Sequence, residues 1–513
     1  MIRRLARLAV VALAASAAAP AFADVKLPNV LSDHMVLQRG RPLPVWGTAA
    51  AGEKVTVKFR GKEKAATAGA DGKWRVNLDP VEAGGPDELT VAGNNTVAIK
   101  DVLVGEVWVG SGQSNMAGAA GGYAKNDPVL AKMIASDYPK IRLLKGNGKW
   151  YVANPQTIPG FSAILFSFGV NLQKELDVPM GLMVGAVGGT PSGYWLSEAA
   201  LKDDEGVKAS VEAAKKTYDP AKAQAAYDAA LKKHEADAAA AKAAGKQAPR
   251  KPYPPAGPGE ATGGKAGYLY EAHIRPMIPF GIRGVLWDQG ESGTAVNGVD
   301  QFVLMGALIK GWRKEWGQEF PWVYIQKPSG LGCAWDPADP VTDKADKFEP
   351  LPAAVPNDGA SRELHVRIMK HPDTYMATAS DLGPNVHPTN KSGYGARAAR
   401  VALGAVYGKK VEIYGPVYKS HAVQGDKVRV TFDHVGQGLA FKHGEKLQGF
   451  AVAGADGKFV WADATIDGDA VVVSSPQVKE PKAVRYAYAQ KHTWANLFNK
   501  DGLPALPFRT DAQ

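Results

Sequence analysis

"GEVWVGSGQSNMAG", Gly105–Gly118, decides how this chain is read. The apolar positions Val102, Val104, Val107 and Val109, with Trp108 between, have the pattern of a strand. The strand runs into Gly110, Ser111, Gly112, Gln113 and Asn115, with Ser114 at the tip. A strand that ends in a glycine turn presents a hydroxyl at the rim of a sheet, where ligands of open α/β folds bind.

Working outward, four other short apolar runs end in the same way: "MGLMVGAVGG", "IRGVLWDQG", "PWVYIQKP" and "TYMATASDLG". Helical patterns lie between them, such as "SFGVNLQKEL", "FVLMGALIKGWRKEW" and "GARAARVALGAVYG". Buried strands alternating with helices predict an α/β region over 104–408, a three-layer parallel sheet with helices on both faces. The flanks read differently. Residues 24–103 and 409–513 alternate apolar and polar positions, with turn signals about every 10 residues, and predict a β-sandwich at each end. Residues 205–257 interrupt the α/β region. Their Ala/Lys-rich stretch predicts exposed helix, and "QAPRKPYPPAGPG" a proline-rich return.

The chain has 513 residues, too many for one core. Arg3, Arg4 and Arg7, the apolar "LAVVALAASAAA" and the small-residue "AFA" before Asp24 read as a signal peptide over 1–23, cleaved near Ala23/Asp24. A periplasmic or secreted protein follows, with no membrane attachment after cleavage. The formal charge is +10; removing those three arginines leaves +7, mild for this length. No basic block is interleaved with stacking aromatics, which argues against nucleic acid. Cys333 is the single cysteine, so neither an intrachain disulfide nor a thiolate metal cluster is possible.

A serine hydroxyl needs a base to take its proton and donors aimed at the developing oxyanion. Of ten histidines, His387 alone directly follows a strand tip, in "ASDLGPNVHPTNKSGYGARAARVAL". Position alone leaves a structural histidine at a helix entry equally open. Gly188 and Gly189 follow one strand and offer bare N–H groups; Gln289 offers a side-chain amide at another. Phosphate-loop, dinucleotide and zinc-helix motifs are absent. So is the G-x-S-x-G elbow, because Met116 stands where its second glycine belongs. Asp288 and Glu291 share the rim and keep paired-carboxylate glycoside cleavage open. Trp195, Trp287 and Trp335 are either sugar platforms or core.

Taken together, "GQSNM" (112–116), "GGTP" (188–191), "QGES" (289–292) and "HPTNKSGYGARAA" (387–399) resemble the sialate O-acetylesterase family of SGNH-type (GDSL-like) carbohydrate esterases. The resemblance extends to "LPNVLSDHMVLQR" near the start and "NLFNKDGLPALPFRTD" near the end. It implies Ser114 as nucleophile and His387 as general base. It implies an oxyanion hole from the Ser114 N–H, the Gly189 N–H and Gln289, with Glu291 bracing the loop. No metal or cofactor is implied. The implied substrate is an acetylated carbohydrate: a 9-O-acetyl sialic acid, or a plant polysaccharide such as xylan or xyloglucan. One departure stands out. Relatives often carry an aspartate two or three residues before the histidine, where this chain has Asn385 and Pro384. Asp381 is the nearest carboxylate and the expected orienter of His387, with Asn385 or Glu291 as alternatives. With no orienter, a catalytically impaired carbohydrate-binding relative is the competing expectation.

Overall fold

The computed structural model describes residues 24–511; the leader read over 1–23 lies outside the described residues. The strand that opens the sequence reading, Thr96–Gly112, is the middle of the central sheet. Met180–Ala186 lies parallel on one side, followed by Tyr138–Lys145. Gly284–Asp288 lies parallel on the other side, followed by Trp322–Ile325 and Thr374–Ala377. Trp150–Ala153 closes one edge in the antiparallel sense. After the central strand the chain passes to the far position on one side and returns beside it. It then continues on the opposite side. That reversal opens a crevice at the carboxyl end of Thr96–Gly112.

Alternate side chains serve two cores, as the two-residue repeat of a strand requires. Val107, Val109, Met183, Val285, Trp287, Trp322 and Tyr324 face one layer, with Leu304, Leu308 and Trp312 of helix Gln301–Trp316. Trp108, Leu182, Val184, Leu286, Val323 and Ile325 face the other. There they meet helices Ala163–Leu176 and Lys391–Ala405. The helices start where polar side chains cap them: Ser162 accepts from the Leu165 N–H, Asp300 from Val303 and Asn390 from Gly393.

Thr96–Gly112 is 17 residues long and runs unbroken through position 103/104. Its first half pairs with Gly84–Ala92 and Val36–Gln38, so the N-terminal strands hang on the same element that carries Ser114. At the other end, Val417–Gln424, Lys427–Asp433, Ala470–Ser474 and Asp463–Asp467 form one antiparallel sheet. A second contains Phe450–Ala453 and Ala483–Tyr486, and inward residues of both join one apolar cluster. Within 205–257, Glu205–Lys215 and Pro220–Ala243 are helices, the latter with no buried residue. Among the described residues no helix is long and apolar enough to cross a membrane.

Gly112 has φ of 124°, and a Cβ there meets the Asp288 carbonyl oxygen at 2.1 Å. Both the backbone conformation and the neighbouring strand therefore require glycine. Gly112→Ala is expected to cost more than about 1 kcal/mol in denaturant unfolding and to lower activity by displacing Ser114.

Candidate active site

Three strand ends are tied together by main-chain bonds before any side chain acts. The Gln113 N–H donates to Asp288 O at 2.9 Å, and the Val187 N–H to Gly112 O at 3.1 Å. The chain then turns into the short helix Ser114–Ala117. Met116, wholly buried, anchors that turn against Gly110 and Ser162. This core role accounts for a methionine where the usual elbow has glycine.

His387 Nε2 lies 2.8 Å from Ser114 Oγ, although 273 positions separate the two residues. The imidazole arrives from a loop between strand Thr374–Ala377 and helix Lys391–Ala405. Gly188 lies over the serine: a Cβ on it comes 3.4 Å from Ser114 Cβ. Gly189 follows with φ of 69°. Among the described residues, the N–H groups of Ser114 and Gly189 have no hydrogen-bond acceptor. The Gln289 side chain is fixed on both sides: Oε1 accepts from Gln301 Nε2 at 3.2 Å, and Nε2 donates one hydrogen to Gly293 O at 3.1 Å. Its second amide hydrogen is uncommitted.

Behind the serine lies an ionic network, buried at Lys327 and Asp288 and reaching the surface at Glu291, whose lysine the sequence reading missed. Lys327 Nζ is 2.9 Å from Asp288 Oδ1 and 3.0 Å from Glu291 Oε1. Burial works against the Lys327 charge, but Asp288 and Glu291 outweigh it and hold the ammonium above its usual range. Burial pushes the Asp288 carboxyl up. Glu291 accepts from Gln113 Nε2, and Ser292 Oγ donates to Gln113 Oε1 at 2.9 Å. Lys391, with no exposed surface, reaches Asn115 Oδ1 at 2.5 Å, and its Nζ stands 4.5 Å from the Tyr123 ring centre. The visible hint was a lysine closing an otherwise apolar strand in "PWVYIQKP" and another inside "HPTNK".

The expected role of Asp381 is corrected, and several readings left open by the sequence are decided. Asp381 does not face His387. It is wholly buried, and Arg397 of helix Lys391–Ala405 takes both its oxygens, at 3.0 and 2.8 Å. A bidentate guanidinium holds the buried carboxylate toward the helix. Asn385 has φ of 78°, and its side chain makes no hydrogen bond among the described residues. Asp288 is wholly buried and bound to Lys327, so it is no partner of Glu291 in glycoside cleavage. Trp195 and Trp287 are core, packed edge-to-face on each other. Trp335 is half-buried against Phe498. His365 is buried, accepts from the Lys327 N–H, and is driven down to about 3 by burial and then by Lys327 and Arg362.

Comparisons with known proteins find carbohydrate esterases. The family model described as "Carbohydrate esterase, sialic acid-specific acetylesterase" matches residues 104–239. The sialate O-acetylesterase of Rattus norvegicus is 26% identical over 468 residues, 80% of this chain and 79% of that protein. The Homo sapiens protein of the same name is 26% identical over 431 residues, 75% of this chain and 72% of its own. The crystal structure of a carbohydrate acetylesterase from Xanthomonas citri superposes with a TM-score of 0.73 at 29% identity. It covers 96% of this chain and 100% of its own. These matches bear out the resemblance to the sialate O-acetylesterase family read from the sequence.

Two outcomes follow from the buried charges. Asp381→Asn is expected to cost about 3–5 kcal/mol of stability, the scale for breaking a buried pair. The kcat of the folded fraction stays near wild type; unfolding curves and active-site titration check both. Burial holds Lys391 down to about 7, against an ordinary value of 10.5. The resulting penalty is full below pH 7 and fades as pH rises toward 10.5. Wild type is therefore expected to gain stability relative to Lys391→Met between pH 7 and pH 10, measured by chemical denaturation across that range.

Proposed function

We propose that this chain is a serine esterase that removes O-acetyl groups from carbohydrates, as sialate O-acetylesterases are named for doing. The observation that carries the reading is the Ser114–His387 hydrogen bond at the mouth of the sheet's crevice. His387 Nε2 takes the hydroxyl proton as Oγ attacks the acetyl carbonyl carbon. The oxyanion is bound by the N–H groups of Ser114 and Gly189 and the free amide hydrogen of Gln289. Collapse breaks the ester bond, and His387 returns the proton to the departing sugar hydroxyl. Water, deprotonated by the same imidazole, then cleaves the acetyl-serine and releases acetate. Every step is served by side chains and main-chain donors of this chain.

The sugar is a 9-O-acetylated sialic acid on this reading. Acetylated xylan or xyloglucan is the second reading, and the shape of the rim favours keeping it. His387, Gly188, Gly189 and Glu291–Gly293 are all exposed, so the serine sits on an open shelf that a polymer chain can cross. The strands on either side of the α/β region support two flanking β-sandwiches, and the basic, apolar start of the sequence supports export.

Acetate release from acetylated sialic acid, xylan and xyloglucan tests the assignment. Wild type is expected to act on at least one. Ser114→Ala and His387→Ala should each lose at least about 10³-fold in kcat. Full activity in Ser114→Ala rejects the mechanism, and inactivity of wild type on every acetylated sugar rejects the substrate class.

A further inference from the structure

The base in this site lacks the carboxylate that usually steadies such a ring. Asp381 is committed to Arg397, and among the described residues nothing hydrogen-bonds His387 Nδ1. The loop has little packing of its own: His387 is exposed, Val386 is 59% exposed, and Asn385 carries a positive φ. Something else must hold the imidazole at 2.8 Å from the serine.

We propose that Lys391 and Asn115 are a positioning pair that clamps the His387 loop onto the nucleophile turn, replacing the orienting carboxylate. The proposal rests on the assignment of Ser114 and His387 as nucleophile and base. Asn115 follows Ser114 directly, and its Nδ2 donates to the carbonyl oxygen of Val386 at 3.0 Å, one peptide before His387. One side chain thus spans both reacting residues. Lys391 decides which way that amide faces. Lys391 Nζ donates to Asn115 Oδ1, and that bond leaves Nδ2 as the end of the amide that faces Val386. Lys391 also lies four residues after His387, so the loop is held at both sides of its histidine. The residue is wholly enclosed, with Asp288, Glu291, Asp127 and Lys327 as the charges that act on it and Tyr123 and Tyr394 beside its ammonium. A lysine placed there has no solvent-facing purpose.

Asn115→Asp keeps the shape and the partner of Lys391 but sets a carboxylate oxygen against the Val386 carbonyl. The new oxygen also faces Glu291 Oε1, 3.5 Å from Asn115 Nδ2; the expected result for the folded enzyme is a fall in kcat of about 10²-fold, the scale for a misplacement near 1 Å, with KM within about twofold. Lys391→Met should lower kcat in the same way. Adding it to Asn115→Ala should cost no more than Asn115→Ala alone, because both act through one bond. If Lys391→Met fails to fold, Asn115→Asp alone carries the test. Wild-type kcat in Asn115→Asp, or a rise in KM with kcat unchanged, overturns the clamp. Ser114→Ala in the same assay keeps the two readings apart. Its loss of activity beside unaffected Asn115→Asp removes only the clamp, whereas its retention of activity removes both.

Discussion

Ser114 and His387 stand 273 positions apart in the chain, and the 2.8 Å contact between them, across which the proposed mechanism passes a proton, is what the rest of the fold arranges. Neither residue is held by its own neighbourhood alone. Ser114 is fixed because the ends of three parallel strands are cross-bonded at Gly112, Gln113, Val187 and Asp288. The helix that follows His387 packs against Ala163–Leu176 on one face of the sheet, and the bond from Asn115 to the Val386 carbonyl holds the loop that carries the imidazole. Gly395 lies so close to Ser167 that a Cβ on it meets the Ser167 Cβ at 2.5 Å. The two halves of the chemistry are therefore carried on elements whose spacing is set by close packing, which tolerates little change in volume.

Charge beneath the site is the second constraint. Lys327, Asp288 and Glu291 form a compact ionic group under an exposed reaction centre. Removing one member strands the others in a poorly solvated place, which is why such groups are costly to break. Glu291 links this group to the surface by accepting from Gln113, next to Ser114. The sequence places Glu291 at the rim as a brace. Only the folded arrangement reveals that its counter-charge comes from the next strand, Trp322–Ile325, whose end carries Lys327.

Legibility followed range. The sheet strands, the serine turn and the helices with polar caps are local patterns, and alternation plus turn residues announced them. His387 was visible because it sits just beyond a strand tip. What stayed hidden depends on partners far away in sequence. Asp381 looked free to serve His387 because nothing local says that Arg397, 16 residues on, will take both its oxygens. Lys327 and Lys391 look like surface lysines until the fold shows them enclosed. The continuity of Thr96–Gly112 through 103/104 is hidden for another reason: the same strand alternates at its exposed start and becomes wholly buried where the sheet covers both faces.

The most direct measurement is covalent labelling with a serine-reactive fluorophosphonate, followed by peptide mass spectrometry. The account predicts one modified residue, Ser114, and labelling that nearly stops in His387→Ala while the fold persists by circular dichroism. A label on another serine, or unchanged labelling of Ser114 without the imidazole, would contradict it.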